Sequence, residues 1–333
     1  MSDTDFASPL QIGTVAVRNR VVLAPMSGVT DMPFRQLAWR YGAGLVVTEM
    51  VASRELVNNT SESWSRLKNA GFQPHMVQLA GREAHWMAEA AKIAADNGAD
   101  IIDINMGCPA KKVIGGYSGS ALMRDPDHAL GLIEATVKAV DVPVTLKMRL
   151  GWDENSINAP HIAKRAEDAG IKLVTIHGRT RMQFYEGRAD WDAIHAVRDV
   201  LSIPLVANGD VETLEDAREI QRRSGADAVM IGRGCQGRPW HAGVIAGNAA
   251  PEAWEIPDIA VEHYHMMLDF YGEAVAVRHA RKHLGWYLDR FAPSLAASEK
   301  AAIMTERDPR EVSARFHDAL MAAASSVDAR EAA

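Results

Sequence analysis

The segment HMVQLAGREAHWMAEAAKIAADNGADIIDIN, residues 75–105, decides the fold. It opens on a short apolar, β-rich run (75–80). An amphipathic stretch (83–98) follows, with apolar residues at three- and four-residue spacing, and a second apolar run, IIDIN (101–105), ends it. Gly98 closes the helical stretch as a C-cap. Strand, helix and strand joined this closely form the unit from which parallel α/β folds are built.

The same alternation extends in both directions. VVLAP (21–25), LVVTEM (45–50), VTLKMR (144–149), LVTIHG (173–178), LVANGD (205–210) and AVMIGR (228–233) join the two runs above to make eight. Between them lie further helical units. DPDHALGLIEATVKAV has Asp125 as N-cap and Pro126 at its first position, and TLEDAREIQRRSG has Thr213 as N-cap and Gly225 beyond its end. Eight such units predict a TIM (β/α)8 barrel over residues 1–247. After the linker GNAAPEAWEIP only helical periods remain, broken at Gly272, near Pro293 and at Asp308–Pro309. This predicts a C-terminal all-α helical bundle over 248–333, with a fraying Ala-rich end. The stretch from Asn59 to Pro74 carries no assignable pattern.

Composition narrows the function classes. The chain has 333 residues, 47% of them hydrophobic, ample for a full core. Its polar N-terminus is no signal peptide, and no apolar run approaches the roughly 18 residues of a membrane span, so a cytoplasmic protein without membrane contact is expected. Cys108 and Cys235 are far apart and lack C-x-x-C spacing, which argues against a disulfide scaffold or a thiolate metal site; no metal is expected. A net charge of -7 argues against a nucleic-acid partner unless cations cluster.

Barrel active sites form at the C-terminal ends of the strands. Those ends carry Pro25, Met26 and Ser27, then Gln78, then Asn105 leading to Cys108. Lys147 and Arg149, His177 and Arg179, Asn208, Gly209 and Asp210, and Gly232 and Arg233 complete the set. Lys147 lies in an otherwise apolar strand, where an ammonium faces either a ligand or an ion-pair partner on the rim, and where Schiff-base chemistry is a further use. NGD (208–210) and GRG (232–234) sit where many barrels bind phosphate through backbone N–H groups and a cation. His177 reads as a core histidine or as a ligand-facing one. Cys235 reads as a small buried hydrophobe.

The strings APMSGVTDMPFR, NMGCPAKKVIGGYSGSALM, VTLKMRLGWD, IHGRTRMQFYEGRADW, VANGDV and IGRGCQGRPW resemble the tRNA-dihydrouridine synthases of the B-like branch, in order from about residue 9 to residue 290. The resemblance implies an enzyme that binds FMN and uses NADPH to reduce a D-loop uridine of tRNA to 5,6-dihydrouridine. Position by position, it assigns the flavin to Pro25, Met26, Ser27, Gln78, Lys147, His177, Asn208, Gly209, Asp210, Gly232 and Arg233. It makes Cys108 the proton donor, with Asn105 and Arg149 at the uracil edge. Cys108 must then stay a thiol, on a loop hinged at Gly115 and Gly116, with Lys111 and Lys112 pointing away from the sulfur.

For tRNA contact the basic stretch VRHARKHLGWYLDR (277–290) offers Arg278, Arg281 and Lys282 with aromatic surface from Trp286 and Tyr287. Lys111, Lys112, Arg179 and Arg181 are expected to extend that track, with the acidic residues on the outer helices. A monomer is expected. Two other readings stand beside this one: a Schiff-base lyase or aldolase using Lys147, and a non-catalytic RNA-binding protein on the same scaffold. Flavin absorption separates the first from the enzyme reading, and the intact Cys108, Lys147, NGD and GRG disfavour the second.

Overall fold

The computed structural model describes residues 5–331, with side chains to residue 326. A short antiparallel hairpin, β1 (Leu10–Ile12) and β2 (Val15–Val17), comes first and turns at Gly13. The barrel strands follow in parallel: β3 (Val21–Leu23), β4 (Leu45–Val46), β5 (Val51–Ala52), β6 (Met76–Ala80) and β7 (Ile101–Met106). β8 (Val144–Arg149), β9 (Val174–His177), β10 (Leu205–Asn208) and β11 (Ala228–Ile231) complete it. The sheet order is β4-β3-β11-β10-β9-β8-β7-β6-β5.

The ends of that order meet because β4 and β5 are two halves of one barrel strand. β4 pairs with β3, β5 pairs with β6, and Val47 bridges to Met76 between them. The expected single strand at 45–50 is interrupted between Val46 and Val51, where side chains take part of the bonding. Thr48 Oγ1 accepts from Gln78 N at 3.0 Å, and Glu49 accepts from Gly28 N. The barrel is closed and has eight staves, as the alternation predicts.

Alternation along each strand separates two environments. Val77, Leu79, Ile102, Ile104, Leu146, Met148, Val174 and Ile176 face outward into the core shared with the surrounding helices. Met76, Ile101, Leu173, Val206, Ala228 and Met230 belong to a second core with Leu10, Ile12 and Val17. The N-terminal hairpin, which no period in the sequence announces, therefore plugs the N-terminal mouth of the barrel. Further along the same strand faces, the residues become Gln78, Asp103, Asn105, Thr145, Lys147, Thr175, His177 and Asn208. Register sets neighbours side by side: Gln78 with Asp103, Asp103 with Thr145, Asn105 with Lys147, and His177 with Asn208.

The caps read from the sequence are present. Asp125 accepts from His128 N, Thr213 and Asp216 form a reciprocal capping box, and Gly225 adopts φ +67°. The unassigned stretch holds a helix, Ser61–Leu67, and a cis Gln73–Pro74 bond.

Beyond the barrel come helices Ile256–Tyr271, Glu273–His279, Arg281–Phe291, Ala297–Thr305 and Pro309–Glu331. The last of these continues through the stretch expected to fray; residues 332–333 lie outside the described residues. Tyr264, Met267, Leu284, Tyr287, Leu288, Phe316 and Leu320 form their core. One correction follows for the 277–290 stretch: Tyr287 is 1% exposed and offers no aromatic surface, while Trp286 is half-buried against the barrel core. The helices dock beside the open end of the barrel. Tyr271 donates to Asp31 Oδ2 at 3.0 Å, and the rings of His263 and His283 lie 5.6 and 5.8 Å from Phe34.

The plug makes a stability prediction. Ile12 is fully buried, so Ile12→Ala is expected to cost about 2–5 kcal/mol. Thr213→Ala, which removes only the capping box, should cost about 1 kcal/mol. Denaturant titration monitored by circular dichroism checks both, and a plug that merely rests on the barrel would give the smaller figure at Ile12.

Candidate functional site

At the C-terminal ends of the strands lies a cavity of about 470 Å³. Pro25, Met26, Ser27, Gln78, Lys147, His177, Asn208, Gly209, Asp210, Gly232 and Arg233 all line it, together with Cys108, Asn105, Arg149 and Arg179. Lys111, Lys112, Arg181, Arg278, Arg281 and Lys282 lie outside it. Met50, Phe184, Tyr185 and Gln236 line it without having been singled out from the sequence.

Lys147 projects from β8 into the cavity and donates to Asn208 Oδ1 at 3.2 Å. Asn208 is itself oriented, because its Nδ2 donates to Met230 O at 2.8 Å. Burial, and then the neighbouring Arg149, bring the ammonium down to about 8, against the pull of Asp103. The remaining ammonium hydrogens have no protein partner among the described residues and face the cavity.

His177 sits beside Arg179, whose Nη1 lies 3.3 Å from its Nε2. A guanidinium only donates, so Nε2 is the acceptor and Nδ1 carries the proton. Burial, followed by Arg149, Lys147, Arg179 and Arg233, holds this imidazole neutral, well below its usual range.

Cys108 is half-buried on the loop after β7. Its backbone N–H donates to Asn105 Oδ1 at 3.1 Å, and its carbonyl accepts from Ser120 N and Ser120 Oγ at 3.1 and 2.9 Å. Burial pushes the thiol above its ordinary value, outweighing Arg149 and Lys147. Lys111 and Lys112 are exposed on the short helix Lys111–Ile114, away from the cations that act on the sulfur. Gly115 has helical backbone and closes that helix, whereas the glycine the loop requires is Gly119. Gly119 has φ +61°, and a Cβ there would meet Cys108 O at 2.8 Å.

Arg179 needs correction as a surface cation, whereas Arg149 keeps its place at the cavity. Arg149 is 1% exposed. Its Nε donates to Gly107 O and its Nη1 to Thr180 O and Phe184 O, each at 2.8 Å, so its donors tie loops together while one face lines the cavity. Arg179, also 1% exposed, binds Asp210 through two bonds of 2.9 and 2.6 Å and does not extend a surface track. Asp210 in turn holds Arg233 at 2.9 Å. Burial would raise the Asp210 carboxyl, but Arg179, the Ala189 N–H and Arg233 keep it below its usual range.

Arg181 is half-buried over Trp152 and reaches Pro109 O at 3.4 Å. Arg278 is exposed, and Arg281 and Lys282 are half-buried. Lys282 comes to the rim, since a Cβ added at Gly28 would lie 2.9 Å from its Nζ. Above the cavity, Tyr185 lies between the guanidinium groups of Arg149 and Arg233, 5.5 and 5.4 Å from its ring. The length of this loop and its aromatic pair, Phe184 and Tyr185, were the available signal for it.

Polar groups on a barrel rim around one cavity, with a thiol and an ammonium among them, describe a small-molecule site that can accept negative charge. Comparison with known proteins narrows this. By fold, the chain resembles a morphinone reductase in complex with tetrahydroNAD, with TM-score 0.54 and 15% identity over 76% of this chain and 94% of that one. It also resembles TcOYE with pHBA, with TM-score 0.57 and 14% identity over 80% and 98%. In sequence it is 84% identical to a probable tRNA-dihydrouridine synthase of Rhizobium leguminosarum bv. phaseoli, over 96% of this chain and all of that one. It is 47% identical to tRNA-dihydrouridine synthase B of Vibrio vulnificus, over 84% and 89%. The dihydrouridine synthase family model matches residues 22–324, and on these grounds the chain belongs to the dihydrouridine synthase family.

Proposed function

We propose that this protein reduces a D-loop uridine of tRNA to 5,6-dihydrouridine, with FMN as bound cofactor and NADPH as electron donor. One observation carries the reading: a protonated thiol, Cys108, and a lone ammonium, Lys147, open into the same cavity in a member of this family.

The residues present fit a flavin mononucleotide. Gly209 and Gly232 let backbone approach a phosphate, and a Cβ at Gly209 would collide with Ala189 at 2.6 Å. Arg233, held by Asp210 and still half exposed, supplies the cation. Lys147, Asn208 and neutral His177 would face the ring system, and Gln78 and Met26 would line its bed. When bound, the flavin supplies the hydride that reaches carbon 6 of the uracil.

The chain's own residues then have defined work. Asn105 orients the loop through its carbonyl oxygen, and Arg149 fixes Gly107 beside it. Cys108 gives its Sγ proton to carbon 5, quenching the enolate-like charge left on the base. Lys147 stabilises negative charge in the cavity. The buried rim excludes water once the base is inserted, and a loop uridine leaves its stack at least cost.

For the tRNA body, we propose residues 248–333 as a binding unit, with Lys111, Lys112, Arg181, Arg278, Arg281 and Lys282 along the path. The outer helices support this. Lys164 with Glu167 and Asp168, Arg222 with Glu219, and Arg223 with Asp192 neutralise one another there, whereas Lys111 and Lys112 have no ion-pair partner among the described residues and lie on the cavity side. Mapping dihydrouridine in tRNA from cells lacking this protein tests the reading. A full set of D-loop dihydrouridines would overturn it, as would purified protein without flavin absorption.

Cys108→Ala is expected to keep bound flavin and its reduction by NADPH, while tRNA reduction falls about a hundredfold or more. Stopped-flow absorbance and dihydrouridine mapping read the two steps separately.

Lys147 gives a pH prediction. Its proton is lost as pH rises through about 8, so affinity for the anionic cofactor should weaken above that pH, by at most about tenfold per unit. Quenching of FMN fluorescence at several pH values measures this, and Lys147→Met should bind weakly and lose the dependence.

A further inference from the structure

Asp103 lies in the barrel interior beside Gln78 and is not among the residues that line the cavity. It is 2% exposed, one layer below the cavity, yet it carries a carboxylate. Its Oδ1 accepts from Thr145 Oγ1 at 2.6 Å, and its Oδ2 accepts from Gln78 Nε2 at 2.7 Å. Gln78 Oε1 accepts from Asn105 Nδ2 at 2.7 Å, and Asn105 Oδ1 accepts from the backbone N–H groups of Gly107 and Cys108 at 3.3 and 3.1 Å. Gln78, Asp103 and Asn105 are all buried, which strengthens these bonds.

The chain of bonds has a direction, and Asp103 sets it. A primary amide has an end that donates and an end that accepts, and the two have nearly the same shape. Nothing in the shape of its pocket tells Gln78 which end faces which neighbour. The carboxyl group does, because both its oxygens accept, Oδ1 from Thr145 Oγ1 and Oδ2 from Gln78 Nε2. Gln78 must therefore turn its Nε2 toward Asp103 and its Oε1 toward Asn105. Asn105 must then offer Nδ2 to Gln78, which leaves its Oδ1 for the N–H groups of Gly107 and Cys108. Reversed, Asn105 would present an NH2 group to two backbone donors, and the loop would lose its anchor.

We infer that Asp103 is a positioning residue: through Gln78 and Asn105 it fixes the backbone of the Cys108 loop. Its meaning for proton delivery rests on the function proposed above, but the geometry does not. Burial pushes the Asp103 carboxyl up, and Gln78, Thr145 and the ammonium of Lys147 oppose that.

The test is a swap. Asp103→Asn can donate, so it permits the reversed amide and unlocks the loop. Combined with Gln78→Glu, it restores the direction: the amide introduced at position 103 would donate to the carboxylate introduced at position 78, whose other oxygen accepts from Asn105 Nδ2. The readout is the rate at which iodoacetamide alkylates Cys108, followed by peptide mass spectrometry on the full chain with no cofactor added. Cys235 is fully buried and does not compete. Asp103→Asn is expected to react at least about threefold faster than the wild type, and the double variant to return below that threshold with wild-type melting behaviour. A single variant under the threshold overturns the inference. So does a double variant that reacts as fast as the single one or that fails to fold. Because no tRNA enters the assay, failure of the dihydrouridine reading would leave this result intact, and the reverse also holds.

Discussion

The ion pair between Arg179 and Asp210 is the contact on which one side of the cavity depends. Arg179 comes from the loop after β9 and is almost wholly buried; besides Asp210 it binds Glu186 O and Gly187 O at 3.1 and 2.7 Å. Asp210 comes from the turn after β10, at φ +56°, and its carboxylate also accepts from Ala189 N at 2.8 Å and from Arg233 after β11. One carboxylate thus joins three consecutive loops. An exposed ion pair contributes about 0.2–1 kcal/mol, whereas removing one partner of a buried pair costs on the order of 3–5 kcal/mol. Asp210 retains some solvent contact, so the lower part of that range applies. Its positive φ is maintained because these four bonds leave the turn no alternative. Both His177, which accepts from Arg179, and Arg233, which Asp210 restrains, take their positions from this pair.

Much of the scaffold was legible because strands buried on both faces write themselves as unbroken apolar runs, and helix ends carry capping chemistry. The hairpin LQIGTVAV (10–17) was not. Its strands are three residues long, too short for any period, and only the tertiary packing of Leu10, Ile12 and Val17 gives it a purpose. Lys147 and Asn208 were legible as polar residues inside apolar strands. Asp103 in IIDIN carries that same signal at the alternate position to Asn105, but a strand's sequence does not say how deep each layer lies. The cations show the opposite limit. Arg179 and Lys111 look alike in sequence, and only folding brings Asp210, 31 residues distant, to bury one of them. Tyr287 and Trp286 look like surface for the same reason: a basic, aromatic helix shows its composition, while its docking angle decides which face is turned to the core.

The reaction proposed above asks the cavity to hold a neutral acid and a cation at the same pH. Cations near a thiol favour the thiolate, so Lys147 and Arg149 by themselves would make Cys108 a nucleophile. Two features prevent this. Burial of Cys108 disfavours its anion more strongly than the cations favour it, and the Lys147 ammonium is itself weakened by burial and by Arg149. Asp103 works the other way, favouring the protonated ammonium of Lys147. Opposite environments separate the titration of two neighbouring groups, which is how one small volume keeps an acid and a cation together. Asp103 has a place in both halves of that arrangement. Its charge supports Lys147 directly, and its hydrogen bonds, through Gln78 and Asn105, carry the loop on which the thiol is presented.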